Sequence, residues 1–158
     1  MIHEEIGDLM AQARASSSWM GLDLGTKTIG VAVSDRLLSS ATPLHTIRRV
    51  KFSKDAEALL EVIENREIGA IILGLPRNMD GSEGPRCQST RAFGRNLASL
   101  TDLPIGYWDE RLSTVAAERA LLEADTSRKR RAEVIDHVAA GYILQGALDR
   151  ARHIRTVG

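Results

Sequence analysis

The chain lacks most of the features that assign a protein to a class at a glance. Only one cysteine, Cys87, stands among its 158 residues, which excludes an intrachain disulfide and a cysteine-based metal cluster. That fits a reducing compartment, and the cytoplasm is the expected location. No charge of either sign is in excess, since 21 Lys and Arg balance 21 Asp and Glu. Without a basic coat, any contact with nucleic acid has to come from a local patch. Aromatic residues make up only 4% of the chain. No apolar run reaches the length of a membrane span, so no membrane partner is expected. The stretch "MIHEEIGDLMAQARASSSW" does not read as a signal peptide. Acids stand where a positive region should be, and no continuous apolar segment follows.

What is present is an ordinary globular composition, 43% hydrophobic and 27% charged, enough for one domain with a sizeable core. Ile2, Ile6, Leu9 and Met10 recur at helical spacing, and Ser16-Ser17-Ser18 reads as a linker. Residues 1–18 are therefore expected to be an N-terminal extension, 19–150 the domain proper and 151–158 a C-terminal tail. Within the domain, Met20, Leu22 and Leu24 alternate with Gly21, Asp23 and Gly25, a period-two strand. Ile29, Val31 and Val33 mark a second strand, joined to the first by a short glycine-containing link that suggests a hairpin. A third strand is expected over Leu44–Arg49. Ser53 is positioned to cap a helix whose apolar face is Ala56, Leu59, Leu60 and Ile63.

Ala70-Ile71-Ile72-Leu73 is a continuous apolar run, as in a strand covered on both faces. A polar loop, "RNMDGSEGPR", leads to a helix marked by Phe93, Leu97 and Leu100. "LPIGYWDE" gives a short strand ending in carboxylates. Ser113 or Thr114 then caps a helix with Ala117, Ala120, Leu121 and Ala124 inward. Asp125–Arg131 reads as a charged connection, and a last helix spans about Ala132–Leu148. Three strands that can meander, then strands alternating with helices, predict an α/β domain with a mixed sheet.

Three acids sit uneasily in this pattern. Asp23 lies inside a strand, on a face where Gly21 and Gly25 leave room for a metal or a phosphate. Glu110 follows the apolar end of a later strand. Asp136 shares a helix face with Ala139, Ala140 and Ile143. A buried ionised carboxylate is costly unless paired or metal-bound, and several together suit Mg²⁺, which prefers oxygen ligands. Each acid also has an ordinary explanation. Asp23 can bond the nearby turn, Glu110 can pair with Arg111, and Asp136 can favour a helix N-terminus. "RKRR", Arg128-Lys129-Arg130-Arg131, is usually a solvated connection but can also hold a nucleic-acid backbone. Lys27, Arg77, Arg86, Arg91 and Arg111 are further cations of that kind. His137 and Trp108 read as packing residues.

The segments "GLDLGTKTIGVAVSD", "ILGLPRNMDGSEG", "WDERLST" and "IDHVAAGYILQGALD" together resemble the YqgF (RuvX-like) family, in family order and over nearly everything from Met20 to about Leu148. The family is described as pre-16S rRNA nucleases and earlier as Holliday-junction resolvases. The resemblance implies an RNase H-like fold, a five-stranded mixed sheet flanked by helices. It implies Asp23, Glu110 and Asp136 as the catalytic and metal-binding set, holding Mg²⁺ or Mn²⁺ in a two-metal site. The implied activity is phosphodiester hydrolysis in 5′-end maturation of pre-16S rRNA, with precursor rRNA in a ribosomal context as partner. Lys27 matches the family's turn lysine, whereas Thr28 stands where many members carry arginine. Arg77, Arg86, Arg111 and Arg128–Arg131 would position the nucleic acid.

Three other readings stay open from sequence. A Holliday-junction resolvase would cut branched DNA with the same acids and is expected to act as a dimer; monomer and homodimer both fit the chain. A non-catalytic RNA-binding assembly factor would use the acids for folding only. "DLGTKTIGVAV" also looks like the phosphate-binding hairpin of actin-like ATPases and sugar kinases, but those enclose a nucleotide between two domains and this chain has room for one.

Overall fold

The structure, a computed structural model, describes residues 1–112 and 128–157, with side chains for 1–112 and 137–156. The extension contributes β1 (Ile2–His3) and α1 (Ile6–Gln12). The two period-two segments form β2 (Ser18–Leu24) and β3 (Thr28–Ser34), antiparallel and in register from Met20↔Val33 to Leu24↔Ile29. The third strand, β4 (Ala41–Arg48), starts earlier than Leu44 and completes the meander. Beyond it come α2 (Phe52–Asn65), β5 (Ile68–Leu75), α3 (Pro85–Ala98) and β6 (Ile105–Asp109), then a 3₁₀ turn at Glu110–Leu112 and α4 (Arg128–Val157). The helix expected from Ser113 or Thr114, with Ala117, Ala120, Leu121 and Ala124 inward, lies outside the described residues.

The sheet order is β1-β6-β5-β2-β3-β4, six strands rather than five. The sixth is β1, which pairs in parallel with β6 through Ile2↔Ile105 and His3↔Gly106. The Ile105 N–H also donates to the Met1 carbonyl at 2.9 Å. Two residues are too few to show a period of two, so only the helical spacing of the extension was visible. The strands β2, β5 and β6 run parallel and sit at the centre.

Two layers cover the sheet. One face carries Met20, Leu22, Leu24, Ile71 and Leu73 against α2 and α3, where Leu59, Phe93 and Leu97 are buried. The other carries Trp19, Ala70, Ile72 and Trp108 against α4 and α1. The continuous apolar run of β5 is thus the double-sided burial it suggested. Proline at the start of α3 fits there because the first helical N–H has no partner to lose. α2 begins one residue before Ser53 and has no side-chain cap.

Both ends of α4 differ from expectation. Arg128–Arg131, read as part of a charged connection, forms its first turn. At the other end the helix runs on past Leu148, because Ala151 is fully buried and Ile154 packs against the same cluster.

Candidate active site

The faces of the central strands are fixed by glycines. A Cβ on Gly21 would lie 2.6 Å from Leu144 Cβ and 3.1 Å from the Ala140 carbonyl oxygen. The missing side chain at Gly21 therefore points at α4, and the period of two sends Asp23 to the same face. A Cβ on Gly74 of β5 would lie 2.4 Å from Ile143 Cδ1, so this strand too turns its bare position toward α4. The last registered β2–β5 pair is Leu22↔Leu73. One residue further on both strands, Asp23 and Gly74 come side by side.

Glu110 reaches the same place from β6. Its Cδ is 3.5 Å from where a Gly74 Cβ would stand. Gly74 thus leaves bare a position that has Asp23 beside it on β2 and the Glu110 carboxyl within contact distance from the other side. Asp23 is 4% exposed and Glu110 8%. Both take part in interactions within the fold.

Asp136 occupies a helical position one turn before Ala140; its side chain lies outside the described residues. The direction of α4 follows from two contacts. Thr46 Oγ1 and His137 Nδ1 are 2.9 Å apart, and the Ala41 N–H donates to Gln145 Oε1 at 2.8 Å. The helix runs antiparallel to β4 and hence to β2. Stepping back one turn from Ala140, about 5.4 Å, moves along β2 from Gly21 toward Asp23. The same contact gives His137 a packing role against β4. Among the described residues, no group of three His, Cys, Asp or Glu is arranged to hold a metal ion. The described donors are the two buried carboxylates, hard oxygen ligands of the type that suits Mg²⁺ or Mn²⁺.

With this geometry in place, similarity to known proteins decides the lineage. The sequence model of the RuvX family, described as Holliday junction resolvase, matches residues 17–150. The chain belongs to the RuvX family. A relative from Ruegeria sp. (strain TM1040) is 72% identical over 156 residues, 99% of each chain. One from Paracoccus denitrificans is 67% identical over 154 residues, 98% of each. Both carry the name "Putative pre-16S rRNA nuclease". Among solved structures, Thermus thermophilus RuvC in complex with a Holliday junction substrate aligns with a TM-score of 0.53 at 15% identity, covering 87% of this chain and 96% of that one. The yeast mitochondrial resolvase Ydc2 aligns at 0.50 and 12% identity, covering 94% and 86%. These neighbours share the fold, which is RNase H-like.

The cations singled out in this RuvX chain fall into distinct groups. Lys27 is exposed at the β2–β3 hairpin tip, and its carbonyl accepts the Arg49 N–H at 2.8 Å. Arg86, in the first turn of α3, is exposed and lies 3.5 Å from the Leu24 carbonyl. Arg77 and Arg111 instead bracket Asp109, the residue before Glu110. Arg111 Nη2 is 2.7 Å from Asp109 Oδ2, and Arg77 Nη1 is 3.7 Å from the same oxygen. Arg77 also meets Glu83 at 3.4 Å, and Arg111 donates to the Met79 carbonyl at 3.3 Å. Burial raises the affinity of the Asp109 carboxyl for its proton. Hydrogen bonds from Arg111 and the charges of Arg111 and Arg77 outweigh that and hold it below the ordinary value. Glu83, hydrogen-bonded by Arg91, is held low as well. These arginines tie the loop after β5 to the end of β6, beside Glu110. The side chains of Arg128, Lys129, Arg130 and Arg131 lie outside the described residues.

Sequence reasoning passed over Arg49 and Lys51. They stand in "RRVK", Arg48 to Lys51, a second basic cluster, which was visible in the chain but was absorbed into the end of a strand.

Proposed function

We propose that this RuvX-family chain is a metal-dependent nuclease that hydrolyses a phosphodiester bond during 5′-end maturation of pre-16S rRNA in the cytoplasm. The carrying observation is the placement of Asp23 and Glu110, two buried carboxylates, on the strands either side of the bare Gly74. Asp136 is assigned to the same set from its place one helical turn from Ala140. Mg²⁺ or Mn²⁺ held by these three would supply a nucleophilic water and stabilise charge on the leaving oxygen. The chain's own part is to hold acceptor oxygens at fixed positions, with Gly21 and Gly74 letting α4 close over them. Arg77 and Arg111 fix Asp109 and with it the backbone that presents Glu110. Lys27 and Arg86 stand at the rim as partners for phosphate, and Arg128–Arg131 is assigned to the approaching backbone. Among the described residues no helix is long and apolar enough to cross a membrane.

The test incubates the purified protein with a precursor rRNA fragment or a four-way DNA junction, each with Mg²⁺, Mn²⁺ or EDTA. Cleavage of RNA should require metal. Asp23→Asn, Glu110→Gln and Asp136→Asn should each lose more than the roughly 10–100-fold that outer metal-site partners typically cost. A second reading, junction resolution, is favoured by the family's own description; cutting of the junction alone would establish it. RNA bound but never cut, with binding unchanged by Asp23→Asn, would replace both with a non-catalytic assembly factor.

A further inference from the structure

The α2/α3 face of the sheet carries a cleft of about 550 Å³ at the same end as the carboxylates. It opens beneath the β2–β3 hairpin tip and is bounded by Thr26, Arg49, Lys51, Phe52, Arg86 and Ser89. Its single acid, Asp55, is buried and already engaged: it accepts the Val50 N–H at 3.1 Å and lies 3.9 Å from Arg49 Nε. Arg49 is likewise committed, with Nη1 donating to the Gly25 carbonyl at 2.6 Å and the guanidinium 5.7 Å from the Phe93 ring centroid. It braces the wall. Lys51 and Arg86 are both exposed, and neither enters a salt bridge among the described residues. In a chain with no net charge, two cations on one cleft with no acidic partner among the described residues make a local positive site.

We propose that this cleft takes a backbone phosphate of the single-stranded RNA substrate, away from the bond that is cut; the assignment rests on the nuclease reading above. The geometry favours a strand over a free anion. Gly25 lines the cleft and Asp23 lies two residues away on the same chain, about 7 Å at strand rise. The two sites face opposite sides of the sheet but meet at the C-terminal end of β2, so a strand passing over the hairpin tip reaches both. Thr26 and Ser89 add hydroxyl donors, while Lys51 and Arg86 neutralise the phosphate. Reading at this point is of backbone and not of base, as expected for phosphate contacts.

The experiment measures binding of a short single-stranded RNA in EDTA, so that cleavage does not enter. Fluorescence anisotropy is followed across a salt series for wild type, for Lys51→Gln with Arg86→Gln, and for a charge control, Arg66→Gln with Arg95→Gln. Single-stranded contacts contribute about 0.7 each to the slope of log K against log salt. With one phosphate held in the cleft, the cleft variant should lose about 0.7 from that slope, and the control should match wild type. An unchanged slope in the cleft variant, an equal loss in the control, or no salt-dependent binding by wild type overturns the proposal. Inorganic phosphate, titrated at constant ionic strength, is the second probe. Saturable thermal stabilisation by phosphate, abolished in the cleft variant while its RNA slope stays intact, reassigns the cleft to a free anion. A wild type that cuts RNA while the variant keeps its slope removes the cleft assignment alone. A variant that loses slope while wild type cuts nothing supports the cleft and removes the nuclease reading.

Discussion

At the scale of single residues, Asp109 shows how a carboxylate next to the proposed site serves it without joining it. It accepts from the Arg111 N–H and side chain and lies within ion-pair distance of Arg77. Its carboxyl is held below the ordinary value despite partial burial. A group depressed in the folded chain stabilises it at pH above the unfolded value, about 3.9. That contribution is lost as pH falls through the lower folded value. Asp109→Asn should therefore be less stable than wild type at neutral pH and should have a flatter acid limb below pH of about 4. Urea midpoints taken from neutral to acid pH check this. Parallel curves would mean that the arginines are not held by this carboxylate. Glu110 follows the opposite logic under the proposed function, where the position of its oxygens is what counts, so Glu110→Gln belongs with the cleavage assay and not with the stability curve.

At the scale of elements, the decisive contact is α4 seated on two bare strand positions. Gly21 faces the Leu144 Cβ and the Ala140 backbone, which cannot swing away. Gly74 faces the end of the Ile143 side chain, which can, and the Glu110 carboxyl. The two alanine substitutions should consequently separate. Gly21→Ala should cost about 1–3 kcal/mol, the usual range for overpacking a tight contact, since the whole helix must shift. Gly74→Ala should change stability less and cleavage more, because its methyl group enters the space beside Glu110. Denaturant midpoints and cleavage rates on the same two variants decide it; equal stability losses would mean that α4 yields as a rigid body at both positions. The hairpin and the buried β5 were legible in sequence because alternation and a continuous apolar run are strong local signals. Asp23 was legible because it sets a carboxylate between two glycines on one face of that alternating strand. The pairing of Glu110 with Gly74 was not, since it depends on parallel strands far apart in the chain and on a residue whose only contribution is to have no side chain.

At the scale of the whole molecule, the extension changes what the sheet edge is. Without β1, β6 would end the sheet with an open row of N–H and C=O groups, a template for pairing with another chain. Strand β1 covers it, but two residues cannot hold themselves there. The anchor is α1, and a seven-residue helix is unstable alone. Its Leu9 is fully buried, with Cδ1 2.6 Å from where a Gly106 Cβ would stand on the strand it covers. Glu4 adds an ion pair to Arg91 at 2.9 Å. The spacing of Ile6, Leu9 and Met10 showed a helix, while Ile2, read in the same period, belongs to β1; neither could show the seat on β6, because nothing local to the extension records that Gly106 has no side chain. Leu9→Ala should therefore cost about 2–5 kcal/mol, as for a large-to-small change in a closed core. A surface position would cost within about 0.5 kcal/mol, and that result, read from urea unfolding, would mean the extension is not packed against β6. The same variant should also expose the β6 edge, so a concentration-dependent rise in apparent mass by light scattering should accompany the loss of stability, while wild type shows none from this edge.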